Sequence, residues 1–181
     1  MSQELPIYMI GALLPLVITN IAHMVLVKRN AWSILAKPIH KKAFGANKTW
    51  RGVVFISTVN AVLFLLINYP GGVLMSFLNQ KQNLVQLLFI GWIFGMAYVL
   101  FELPNSFIKR RMGIKPGASA MRWKGLFTLF DKTDSALGVS LVFYFIHDVS
   151  SLDAIFFFLI ASGLHFLFSW ILYLRNIKKS F

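Results

Sequence analysis

Residues 84–111 read LVQLLFIGWIFGMAYVLFELPNSFIKRR. The stretch is apolar from 84 to about 103, then turns polar and basic within a few residues. A helix of about 20 residues rises about 30 Å, the thickness of a bilayer's hydrocarbon core. There is no strand-like alternation, and a membrane barrel would need at least about eight alternating segments. The reading is therefore a crossing helix with a basic flank. Gly91 and Gly95 form a small-xxx-small pair, which reads as close packing inside a helix bundle. Pro104 has no N–H to give and is expected to interrupt the helix, leaving Asn105 or Ser106 to cap a new one. A capped N-terminus followed by Lys109, Arg110 and Arg111 suits a phosphate. Gly113 and Pro116-Gly117 then mark a turn.

Four more windows of the same kind flank this one, giving spans at about 5–27, 53–69, 84–103, 126–145 and 152–175. The expectation is a single all-α integral membrane domain over residues 1–181, with five transmembrane helices. The first window lacks a basic leader and a small-residue cleavage pattern, so it is read as a span rather than a signal peptide. Lys and Arg alternate between the loops. There are none before the first span, seven in residues 28–52, one (Lys81) in the next loop, six in 104–125, none in the fourth loop and three from Arg175 at the end of the last span onward. Basic loops stay on the cytoplasmic side, which places the N-terminus outside and the C-terminus in the cytoplasm of a plasma-membrane protein.

The composition agrees. The chain is 57% hydrophobic and 13% charged, yet carries 18 Lys and Arg against 6 Asp and Glu, a net charge of +12. A nucleic-acid binder of that charge would be polar overall, so no nucleic-acid partner is expected. The absence of cysteine excludes disulfides and thiolate metal sites.

The fourth window contains Asp131, Lys132 and Asp134. Ionisable residues inside a membrane are costly and default to functional candidates. Asp131 and Asp134 are three apart, hence on one helix face, and Ser135 shares it. Two carboxylates on one face can hold a hard cation such as Mg²⁺ together with substrate phosphates. Lys132 is expected to project elsewhere and snorkel to the surface. Gly138 leaves room for a close approach, and Glu102 is a candidate third metal carboxylate. In the first loop, Phe44-Gly45-Ala46-Asn47-Lys48-Thr49-Trp50-Arg51-Gly52 could wrap a phosphate while Lys48 and Arg51 neutralise it, although it is not a P-loop. Asn20, His23 and Asn60 read as interhelical hydrogen-bond residues, and His165 as a packing histidine.

Taken together, Phe44-Gly45…Lys48-Thr49-Trp50-Arg51-Gly52, Glu102-Leu103-Pro104-Asn105-Ser106-Phe107-Ile108-Lys109-Arg110-Arg111…Gly113-Ile114…Pro116-Gly117 and Asp131…Asp134-Ser135…Gly138 resemble the CDP-archaeol synthase family, relatives of the phosphatidate cytidylyltransferases. The resemblance covers nearly the whole chain. It implies a five-helix bundle with a polar cavity open to the cytoplasm. The implied reaction turns CTP and a membrane lipid phosphate into CDP-lipid and pyrophosphate, with Mg²⁺. It casts Asp131, Asp134, Lys109 and Arg110 as catalytic, and Asp131, Asp134 and Glu102 as metal ligands. Lys48, Thr49, Arg51, Asn105, Ser106, Arg111 and Ser135 would bind substrate. His40 and Lys132 depart from the family's usual residues.

Two other readings compete. The long Asp-Gly…Ala-Arg…Gly…Asp…Asp signature of CDP-alcohol phosphotransferases is absent. A small transporter or lipid-binding scaffold, with the Asp pair as an ion relay, would more usually show repeated halves, and none is visible.

Overall fold

The computed structural model describes residues 5–69, 83–116, 118 and 124–175. The Lys81 loop, Gly117, Arg122 and the C-terminal Lys178 and Lys179 lie outside them. The described residues are helical: α1 (Leu5–Lys28), α2 (Lys41–Phe44), α3 (Trp50–Ile67), α4 (Leu84–Arg111), α5 (Lys124–His147) and α6 (Ser151–Leu174), with a short 3₁₀ turn at Ser33–Leu35. No strand is formed among them, only one antiparallel bridge between Pro38 and Thr49.

The helix ends follow local chemistry. Asn83 caps α4 by accepting from the Val85 N–H, while Gln86 reaches back to the Asn83 N–H. Ser150 caps α6 by accepting from the Asp153 N–H. At the far end of α4, Gly113 takes a φ of 74°, and its N–H returns to the Arg110 carbonyl at 3.2 Å.

Pro104 does not interrupt the helix: α4 runs through it without a break, as α1 runs through Pro15. The proline removes one N–H. Breaking the helix in apolar surroundings would strand several backbone groups, which costs more. Side chains on both sides of Pro104, Glu102 before it and Asn105 and Lys109 after it, are also tied to neighbouring segments. No new helix starts at Asn105 or Ser106, so the expected capped phosphate site there does not exist.

The five long helices form a closed ring. α1 packs on α3, α3 on α4, α4 on α5, α5 on α6, and α6 returns to α1. The glycine pair sets the α3–α4 distance. A methyl group on Gly91 would lie 2.5 Å from Cβ of Phe64, and one on Gly95 would lie 2.7 Å from Cα of Ser57. Asn60 makes the expected interhelical bond, donating to the Gly91 carbonyl at 2.7 Å. Gly138 brings α5 equally close to α4, against Phe101 and the Ala97 carbonyl. Outward positions carry exposed apolar side chains such as Phe89, Phe145, Leu152 and Leu159.

α1, α3, α4 and α6 are long and apolar enough to cross a membrane. α5 has the length, with 24 residues, but carries Asp131, Lys132 and Asp134 in its first half. Its polarity comes from what it faces.

Candidate active site

At one end of the ring, where α1, α4 and α6 finish and α3 and α5 begin, the helices enclose a cavity of about 410 Å³. The segment between α1 and α3 doubles back over it. Ile39 donates to the Lys48 carbonyl at 2.9 Å and Trp50 to the Lys37 carbonyl at 3.0 Å, which fixes Asn47, Lys48 and Thr49 on the cavity wall. His40 caps α2, its Nδ1 accepting from the Ala43 N–H at 3.1 Å. That local role accounts for the histidine at this position.

α4 supplies most of the chemistry. Glu102, Ser106, Lys109 and Arg110 line the cavity from successive turns. The Asn105 amide sits between the two aspartates of α5, donating to Asp131 Oδ1 at 2.7 Å and to Asp134 Oδ2 at 3.0 Å. Lys109 pairs with the other oxygen of Asp131 and lies 5.7 Å from the centre of the Phe127 ring. The second oxygen of Asp134 accepts from the Ser135 N–H at 2.7 Å. On the opposite wall Lys48 forms an ion pair with Glu102. Burial works against the Lys48 charge, but the Glu102 carboxylate, with Asp134 and Asp131 beyond it, outweighs burial and raises the ammonium above the usual lysine range.

Arg110 differs from its neighbours. Its Nε and Nη1 are buried at the cavity wall and meet no hydrogen-bond partner among the described residues. A guanidinium carries five fixed donors, so Arg110 keeps unused donor capacity at the cavity wall.

The structure thus gathers Lys48, Thr49, Glu102, Ser106, Lys109, Arg110, Asp131 and Asp134 around one cavity, with Asn105 joining the acids. Three expected residues stand elsewhere. Arg51 is buried and turns to the Ala31 carbonyl at 3.0 Å, in the segment that follows α1. Arg111 lies 4.8 Å from the centre of the Phe107 ring, outside the cavity lining. Ser135 sits below the cavity in a smaller apolar pocket of about 40 Å³.

The Glu102 carboxylate is engaged apart from the aspartate pair. It faces Lys48, and among the described residues no three His, Asp or Glu side chains gather closely enough to hold a metal. What fits a divalent cation is the aspartate pair. Asn105 holds one oxygen of each close together, and a cation such as Mg²⁺ commonly takes one or two carboxylates with water and phosphate as its other ligands.

Lys132 does not reach the surface: it is 3% exposed and lines the cavity with Asp131 and Asp134, because the cavity wraps far enough round α5 to take in more than one face. Sequence reasoning also gave too little weight to Asn20, His23, Tyr98, His165 and Ser169, all of which line the cavity. A signal was available in spacing. Asn20 with His23, and His165 with Ser169, are polar pairs one turn apart inside apolar helices.

A match to the CarS-like CDP-archaeol synthase family spans residues 3–181. The chain belongs to that family. No curated protein and no solved structure matches it. The family match takes in all three motif segments, so the lysines, Arg110 and the acid pair of the cavity all lie within it.

Proposed function

We propose that this protein is a CTP-dependent lipid cytidylyltransferase of the plasma membrane. It converts a lipid phosphate, of the 2,3-di-O-geranylgeranylglyceryl phosphate or phosphatidate type, into CDP-lipid and pyrophosphate. The observation that carries this reading is the meeting of Lys48, Lys109 and Arg110 with the Asp131–Asp134 pair around one cavity, in a chain of this family.

The chemistry needs little more. A phosphate oxygen of the lipid attacks the α-phosphorus of CTP, the bond from that phosphorus to the β-phosphate oxygen breaks, and pyrophosphate leaves with the electron pair. Two polyanions must be held in contact, so positioning and charge neutralisation carry most of the rate. Lys48 and Lys109, each paired with a carboxylate, can exchange that partner for a phosphate. Arg110 offers its free donors to a non-bridging or leaving oxygen. Asp131 and Asp134 would hold Mg²⁺, which when bound supplies charge neutralisation across the triphosphate. Asn105 keeps the two carboxylates together. No protein nucleophile is required.

In this reading α5 is the fifth membrane crossing, its charged half turned inward to the cavity. The basic end of the ring faces the cytoplasm, where the positive-inside rule puts Lys28, Arg29 and Lys109–Arg111, and where CTP is found. The test is purified protein with labelled CTP, Mg²⁺ and a panel of ether-linked and ester-linked lipid phosphates. Labelled CDP-lipid and equimolar pyrophosphate are expected from at least one acceptor. No product from any acceptor, by protein that elutes as a folded species, overturns the reading. A reporter fused after Phe181 should be cytoplasmic.

A further inference from the structure

Three helices meet directly beneath the acid pair. Ser135 of α5 is fully buried, and its hydroxyl lies 3.1 Å from Nδ1 of His165 on α6. Either tautomer makes this bond: a protonated Nδ1 donates to the hydroxyl, and a bare one accepts from it. Tyr98 of α4 faces the same imidazole, with ring centroids 5.9 Å apart. Tyr98 and His165 line both the polar cavity and the apolar pocket below it, so they form the partition between the two.

Ser135 follows Asp134 in the chain, and the Ser135 N–H holds one oxygen of Asp134 while Asn105 holds the other. The first contact travels with α5, whereas the bond from Asn105 of α4 depends on how α5 is rotated. One turn further along, Gly138 seats α5 against Phe101 and the Ala97 carbonyl of α4. That contact sets a distance between helices. Contacts with α6 hold the angle: the Phe143–Phe157 stack, with ring centroids 4.0 Å apart, and, next to Asp134 in the chain, the bond between His165 and Ser135.

We propose that His165 is a positioning residue for Asp134: through the Ser135 hydroxyl it fixes the rotation of α5, so that the Asp134 carboxylate stays beside Asn105 and turned toward an incoming divalent cation. The inference rests on the cytidylyltransferase reading of the acid pair and assigns a role to a histidine that hydropathy alone treats as filler. Groups that orient ligating carboxylates typically matter about 10- to 100-fold for metal affinity or activity.

The experiment uses purified full-length protein with Mn²⁺ as the metal probe, CTP present and no lipid acceptor, so that nothing turns over. Bound Mn²⁺ is read by electron paramagnetic resonance for wild type, His165→Ala, Ser135→Ala, the double variant and His165→Gln. Each single alanine variant should weaken Mn²⁺ binding by about tenfold. The double variant should be no weaker than Ser135→Ala, because that change already removes the bond to His165, together with the one between Ser135 and Tyr98. His165→Gln, which keeps a polar group of similar reach, should recover part of the loss. In the full assay the Mg²⁺ concentration for half-maximal rate should rise while the KM for the lipid stays within about twofold.

Wild-type Mn²⁺ affinity in both alanine variants, or losses that add in the double variant, overturns the positioning role alone. A wild type that binds no Mn²⁺ in the presence of CTP overturns the functional reading, and the inference falls with it.

Discussion

The two halves of α4 use the same backbone for opposite ends. From Leu84 to Tyr98 the helix is packed. Gly91 and Gly95 sit against α3, Phe94 is fully buried and stacks on Phe64 with ring centroids 5.8 Å apart, and Asn60 donates to the Gly91 carbonyl. From Glu102 to Arg111 the helix is charged: its side chains pair with Lys48 and Asp131, bridge two aspartates, and in Arg110 leave buried donors without partners. In the first half, polar groups serve packing. In the second, packing holds a surplus of polar groups in place. Buried donors left without partners are costly in a folded protein, and Arg110 holds two of them at the cavity wall.

Substitutions can break this contrast or sharpen it. The largest effect is expected from Asp134→Asn, which keeps shape and removes charge. CDP-lipid formation should fall by about a hundredfold or more, in the range for losing a preorganised electrostatic partner, with elution volume and helix content unchanged. Near-normal turnover would remove Asp134 from the site. Next comes Arg110→Ala set against Arg111→Ala. Loss of a charge-assisted bond is worth about 1.5–3 kcal/mol, so Arg110→Ala should reduce kcat/KM for CTP by roughly 10- to 100-fold. Arg111→Ala should stay within about twofold, as for a surface change. Equal effects from the two would mean that bulk positive charge, not the cavity, binds the nucleotide. The smallest effect on chemistry should come from the packed half. Gly91→Val forces a side chain into Phe64 and should cost about 1–3 kcal/mol of stability, read as a lower thermal midpoint, while activity per folded molecule is retained. A variant as stable as wild type would show that the α3–α4 contact is looser than the glycine geometry requires.

The same contrast explains what could be read from the amino-acid order. Hydrophobic runs report helices directly, because a membrane solvent leaves few alternatives, and α1, α3, α4 and α6 stand close to their expected windows. The glycine pair was legible because small residues at that spacing have few other uses. The aspartate pair was legible because charges inside apolar runs are rare. Pro104 was misread for a reason that lies outside its neighbourhood: the ties at Glu102 and Lys109 run to Lys48 and Asp131, far away in the chain. Arg51 and Lys132 were misread in the same way, since a side chain's direction is set by which helix stands beside it, and no local pattern encodes that. His165 carries no local signature either. Its bond to Ser135 crosses from α6 to α5.

The α4–α5 adjacency also has a consequence for how the protein is made. α5 is the helix whose charges a bilayer resists most, and the groups that meet them, Asn105 and Lys109, lie on the helix synthesised just before it. The two helices also fit closely at Gly138. In the five-span reading proposed above, the nascent chain carries the counter-groups into the membrane ahead of the acids, and the α4–α5 pair enters with its charges already matched, before α6 has been translated to close the ring.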